Sequence, residues 1–181
     1  MRKIITSVLA LGMLSFATTV SASSNKAEHH IGYSHLTTLN GQNANGLEYG
    51  IVKMWTVSEE NTDALQYGLG INWNINSFQT DSSDNGTTAD SITYGFDGDA
   101  LIGYQINQNI NVRGGIGYSF NVIASSAFTK GVIYCASAGY KITDKLGLEA
   151  TYKAGTVSFE TALSSQDVEQ TQLGLNVVWG F

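Results

Sequence analysis

Three histidines fall within residues 29–35, and Ser34 stands next to the last of them. Imidazoles bind transition metals and act as bases near neutral pH, so metal ligation and nucleophilic catalysis are the chemistries to weigh. Neighbouring residues of a β-strand point to opposite faces, so His29 and His30 are poorly placed to share one ion. The same alternation separates Ser34 from His35, whereas a serine nucleophile needs its hydroxyl within hydrogen-bond reach of an imidazole that a carboxylate orients. The chain carries no Gly-x-Ser-x-Gly, His-Glu-x-x-His, phosphate-loop or Cys-x-x-Cys pattern. No metal, cofactor or catalytic residue is expected.

A second group of residues is charged and falls on the polar side of alternating segments. Glu48, Asp97, Asp99 and Glu149 stand against Arg113, Lys141 and Lys153, a nearly balanced set. A buried unpaired charge costs several kcal/mol, so these groups need partners. Arg113 is expected to pair with Asp97 or Asp99 across the adjacent hairpin, and Lys141 or Lys153 with Glu149. Such a cluster is either a proton or ion path or internal polar glue that fixes strand register, and the second reading is preferred. Gly103, Gly115, Gly117, Gly139 and Gly147 are expected to leave room for the long arms of Arg113 and Lys141. A third group lies in the polar stretch 77–91. Phe78, Asp81, Asp84 and Asp90 there form either a contact surface or a solvated turn.

The elements that position these groups are strands. Apolar residues recur with period two over residues 28–39, 46–57, 65–75, 92–106, 110–122, 128–142, 146–159 and 167–181. Short turns at Asn107-Gln108-Asn109 and Thr143-Asp144-Lys145, with residues 58–64, fall at one end of the resulting meander. Residues 40–46, 77–91, 123–127 and 160–166 connect strands at the other end. An up-and-down antiparallel sheet of eight strands closes naturally into a small barrel, which removes its edges.

Composition narrows the setting. The 181 residues are 43% apolar and only 13% charged, with 20 Gly, no Pro and one Cys. That excludes a disulfide-stapled mini-protein and a disordered tail. Residues 1–22 read as a secretory signal peptide: Arg2 and Lys3, an apolar run from Ile4 to about Ala17, and Val20-Ser21-Ala22 as the cleavage site. Ser7, Ser15, Thr18 and Thr19 dilute that run below what a retained membrane helix needs. Loss of Arg2 and Lys3 makes the formal net charge of −6 two units more negative, which argues against nucleic acid as a partner. Cys135 reads as a small buried residue inside a strand.

Alternation alone does not say whether the apolar face points inward, as in a secreted lipocalin-like barrel, or outward to lipid. The polar face is Gly, Asn, Gln, Ser and Thr with few Lys or Glu, which suits a crowded interior. Aromatic residues on the apolar face gather toward strand ends, where the two bilayer interfaces would lie. Both features, with the export signal, favour the membrane barrel. His35 and Lys53 break the pattern by sharing parity with apolar neighbours, so each either lies near a rim or follows a β-bulge.

The meander of eight strands and the terminal Leu173-x-Leu175-x-Val177-x-Trp179-x-Phe181 resemble the small outer-membrane barrels of Gram-negative bacteria, of the OmpA transmembrane domain and OmpX type. The resemblance covers residues 23–181. It implies an all-β, eight-stranded antiparallel transmembrane barrel, with Trp179 and Phe181 read by the barrel-assembly machinery. It implies a monomer in contact with outer-membrane lipid and lipopolysaccharide, with both termini periplasmic. Some barrels of this kind are lipid A deacylases or acyltransferases, but the His-x-Ser spacing of the deacylases is missing, since Leu36 and Thr37 follow His35. The expected function is non-enzymatic: surface integrity and adhesion or ligand contact through external loops. Asp81, Asp84 and Asp90 would meet divalent cations between lipopolysaccharide phosphates, or a basic protein. A lipid-A-modifying enzyme and a narrow solute channel are the alternatives.

Overall fold

No proline interrupts the chain, so every residue of the alternating segments can donate a ladder hydrogen bond. The computed structural model describes residues 27–38, 42–56, 65–81, 88–123, 127–161 and 163–180. Among them run eight strands: β1 (Glu28–Thr38), β2 (Gln42–Thr56), β3 (Leu65–Asp81), β4 (Thr88–Gln105), β5 (Ile110–Ile123), β6 (Ala127–Thr143), β7 (Leu146–Thr161) and β8 (Ser165–Trp179). Each pairs antiparallel with its sequence neighbour, and β1 also pairs with β8, so the sheet closes on itself. The expected signal peptide, Asp84 and Phe181 lie outside the described residues.

Pairing extends further than turn chemistry alone suggests. The Asn-rich stretch expected to connect the first two strands is largely strand, because β2 begins at Gln42 and pairs residue by residue with Ser34–Thr38. Likewise β3 runs on to Asp81 and β4 starts at Thr88, so Phe78, Asp81 and Asp90 lie in a paired ladder, not in a loop. Asn, Gly and Asp weaken a strand, but once a hairpin is in register each added pair satisfies two more backbone groups. Among the described residues register shifts once, between Lys141 and Thr143 beside the β6–β7 turn.

The polarity of the sheet is inverted relative to a water-soluble barrel. Leu47, Ile102 and Tyr134 face outward and are 67%, 64% and 65% exposed, whereas Asp97 is 1% exposed and Glu48, Arg113 and Glu149 are also buried. The apolar face therefore looks away from the axis. No β1–β2 bulge explains His35. It stays on the outward face three residues before the end of β1, near a rim. Lys53 pairs with the outward Leu69 close to the other end of β2, and its ammonium lies over the Trp55 ring at 5.4 Å.

Side chains fill the lumen in layers. Toward the end that carries the β1–β2 connection, Leu36 and Ala44 pack with Ile123 in an apolar stopper. Ile133 and Val157 are buried below it, each beside the backbone of a glycine on the facing strand, Gly155 and Gly131 respectively. Elsewhere the glycine space is taken differently from expectation. Met54 reaches Gly103, Leu101 reaches Gly115, Asp99 reaches Gly117 and Asn111 reaches Gly139, and the Arg113 arm passes Gly103. A Cβ at Gly32 would collide with the carbonyl oxygen of Leu175, whereas one at Gly98 would meet nothing. Gly32→Val should therefore lose roughly 1–3 kcal/mol, read as a lower urea midpoint in phospholipid vesicles, and Gly98→Val should leave that midpoint near the parent value.

Candidate functional site: the polar lumen

Glu28 and His30 on β1, Arg113 on β5, Ser137 on β6 and Glu149 on β7 all project inward by strand parity. They form a layer near the end of the barrel where β1 starts and β8 ends. Arg113 donates from Nη1 to Glu149 Oε2 at 3.0 Å and from Nη2 to a Glu28 carboxylate oxygen. The same Glu149 oxygen accepts the Ser137 hydroxyl at 3.1 Å, and its other oxygen lies 3.0 Å from His30 Nδ1. His30 Nε2 stands 3.6 Å from Glu28. One guanidinium and one imidazole are thus held between two carboxylates.

A second layer lies further along the axis. Lys153 Nζ donates to Asp97 Oδ2 at 2.6 Å and is 3.9 Å from Asp99 Oδ2, which also accepts Asn72 Nδ2 at 2.9 Å. Glu48 accepts from Gln172 Nε2 at 2.9 Å and from Asn176 Nδ2 at 2.6 Å. Beyond it the groups are neutral. Ser34 donates to Asn76 Oδ1 at 2.7 Å, Asn76 Nδ2 to Asn74 Oδ1 at 2.8 Å, and Asn121 Nδ2 to Ser119 Oγ at 3.0 Å. Between the two ionic layers is a cavity of about 40 Å³, bordered by Arg113, Glu149 and Ser137 on one side and by Asp99, Glu48 and Lys153 on the other. That is space for a few water molecules.

Six of the seven charged residues expected in the lumen are buried there, but their partners differ from expectation. Arg113 pairs with Glu149 and Glu28, not with Asp97 or Asp99, and Lys153 takes both aspartates. The reason is level along the axis. In the β4–β5 ladder Arg113 stands opposite Gly103, four residues from Asp99, which is about 10 Å of axial rise at the tilt of a small barrel. Glu149, across the lumen, lies at Arg113's level. Lys141 is at the mouth of the lumen, with Nζ 3.2 Å from Asp144 in the turn. Glu28 and His30 were not expected in the network. Their alternation with His29 and Ile31 was visible, but nothing local showed that Arg113 would cross the lumen to reach them. With Glu28 added and Lys141 displaced, carboxylates outnumber the permanent cations inside.

The residues that invited catalytic readings are separated. Ser34 is buried against Asn76, whereas His35 faces outward with Nδ1 2.6 Å from Asn45 Oδ1. His29 faces outward between Trp179 and Tyr49, at ring distances of 5.6 and 6.2 Å, and His30 faces inward. No group of three or more His, Cys, Asp or Glu suited to a metal occurs among the described residues. Of the two residues expected to serve as assembly signal, Trp179 ends β8 on the outward face. Cys135 is inward and borders the cavity.

Breaking a buried pair strands the remaining charge, at about 3–5 kcal/mol. Arg113→Ala, which strands Glu28 and Glu149, should lower folded stability by that order in urea titrations from vesicles. Adding Glu149→Gln to Arg113→Ala should cost less than the two single changes summed, because they act on one network.

Residues 6–181 match the outer membrane protein beta-barrel domain family. A comparison with curated proteins finds no match. Among solved structures, the attachment invasion locus protein Ail of Yersinia pestis, in complex with the heparin analogue sucrose octasulfate, superposes with a TM-score of 0.58 at 15% identity, covering 88% of this chain and 100% of that one. Neisserial surface protein A gives a TM-score of 0.56 at 15% identity, covering 88% and 98%. At such identity these likenesses concern the fold. A closed ring of eight antiparallel strands is the architecture they share, and the chain belongs to the outer membrane β-barrel domain family of bacterial outer-membrane proteins.

Proposed function

We propose that this protein is a non-enzymatic outer-membrane barrel that supports the integrity of the cell surface and offers the β3–β4 hairpin for contact outside the cell. The observation that carries this reading is the uneven height of the wall. Pairing of β2 with β3 stops at Ala44–Phe78 and pairing of β4 with β5 stops at Thr93–Ile123, while β3 and β4 stay paired to Asp81–Thr88. Among the described residues no third strand pairs with this hairpin over its last few pairs, so it extends from a paired base, as a recognition element requires.

Asp81, Asp84 and Asp90 make this stretch acidic, and the chain's formal charge is −6. A basic protein, or divalent cations shared with lipopolysaccharide phosphates, suits it better than a sulfated polyanion of the kind held by Ail. Contact with outer-membrane lipid, insertion by the barrel-assembly machinery through Trp179 and Phe181, and a monomeric state belong to the same reading. The separation of Ser34 from His35 speaks against the lipid-A-modifying alternative. The apolar packing of Leu36, Ala44 and Ile123, and the salt bridges that tie Arg113 to Glu149 and Lys153 to Asp97 in the lumen, speak against the channel.

Cells that display the protein with residues 79–90 replaced by a two-residue turn should lose several-fold in attachment to a basic extracellular matrix protein at unchanged surface level. Unchanged attachment would remove the adhesive reading. In planar bilayers the parent protein should show no steady conductance, and a sustained, ion-selective open level would favour the channel instead.

A further inference from the structure

The lipid-facing wall is not equally tall around the ring. On β4 the outward positions stay free of polar side chains from Tyr104 to Ile92, and on β5 from Ile110 to Val122. On β8 the apolar stretch runs only from Trp179 to Leu173, and Thr171, Glu169 and Asp167 follow on the same face. On β1, His29 and His35 bracket just two apolar outward residues, Ile31 and Tyr33. A tilted strand climbs about 2.5 Å along the barrel axis per residue. The apolar wall is therefore roughly 30 Å tall at β4 and β5 and roughly 15 Å tall at β8, and at β1 the two polar brackets His29 and His35 are themselves only about 15 Å apart, against about 25 Å for barrels of this kind.

A leaning barrel does not account for this, since a lean shifts both edges of the belt together and leaves its height unchanged. At β1 the belt is cut short from both ends, by His29 on one side and His35 on the other. A bilayer meeting a wall shorter than its hydrocarbon core thins locally to match.

Polar groups wait at the upper edge of the short side. Asn45 Oδ1 accepts from His35 Nδ1 at 2.6 Å and from the Tyr33 hydroxyl, and the Thr37 hydroxyl donates to Asn43 Oδ1 at 3.2 Å. With its carbonyl oxygen engaged by two donors, exposed Asn45 keeps its amide nitrogen for an acceptor in the surroundings. Followed through the ladders, Thr171 and Asn45 lie at the same axial level as Phe120 and Tyr94 on the far side, to within about 3 Å. One level thus carries amide and hydroxyl on one flank and aromatic rings on the other.

We infer that the outer membrane is pinched along the seam where β8, β1 and β2 meet, and that an acceptor oxygen of an outer-leaflet lipid headgroup takes the free Asn45 amide N–H beside Tyr33 and His35, deeper than the headgroups beside β4 and β5. This rests on the family's membrane location and not on the external contact of the β3–β4 hairpin.

Nitroxide labels test it. With Cys135→Ser removing the native thiol, single cysteines are placed at Thr37, Thr171, Tyr94 and Phe120 and the labelled full chain is folded into phosphatidylcholine vesicles. Collision with a water-soluble nickel chelate should exceed collision with oxygen at 37 and 171 and fall several-fold below it at 94 and 120. Equal profiles at all four sites would overturn the pinch. Placing the 37 label in an H35L/N45L background extends the apolar wall without touching the lumen. That label should then shift toward oxygen, and an unmoved profile would overturn the headgroup seat. Replacing part of the phosphatidylcholine with lipopolysaccharide distinguishes a sugar or phosphate acceptor found on lipopolysaccharide alone from one common to phospholipids.

Discussion

Hydrocarbon offers no hydrogen bonds, so every backbone amide and carbonyl that crosses it has to be satisfied within the protein. The pairing of β1 with β8 meets that demand. Without it two strand edges would lie unpaired in lipid, each group costing several kcal/mol. With it the wall is continuous, and its tilt sets which side chains meet inside. The strand count, the narrow lumen and the inverted polarity all follow from closing the ring at this size.

Inversion creates the second problem that the structure solves. Polar residues that alternate with lipid-facing ones are forced into a lumen too narrow for bulk water, and charges among them lose their hydration. The response is sorting by level. Arg113 and His30 sit with Glu28 and Glu149, Lys153 with Asp97 and Asp99, and Glu48 with two amides. Pairs of this kind do not add much net stability, because desolvation offsets the attraction, but they penalise any register in which a partner is missing. A one-residue slip would also turn these ions toward lipid.

The two ends of the molecule divide its roles. Leu36, Ala44 and Ile123 pack together toward one end of the lumen, in apolar contacts that need no hydrogen-bond partner. Beyond them the β3–β4 hairpin continues as a ladder of its own, and the outward surface shifts from aromatic at β4 and β5 to polar at β8 and β1. Interior and exterior are decoupled by the pleat, so the lipid-facing and exposed surfaces can vary without disturbing the ionic layers.

Much of this was legible in the chain before any coordinates. Period-two alternation marked every strand, and parity placed His35 outside and Asp97 inside, because both are local properties of the pleat. Turn-forming residues misled at 42–46, 78–81 and 88–91, where pairing with a neighbouring strand outweighed their preference for loops. The sequence by itself determined the strand number, the connectivity and the face each residue takes. Only the tertiary structure decided which charges meet, since tilt and closure bring together groups as remote as Glu48 and Gln172, 124 positions apart, and a local pattern holds no record of axial level.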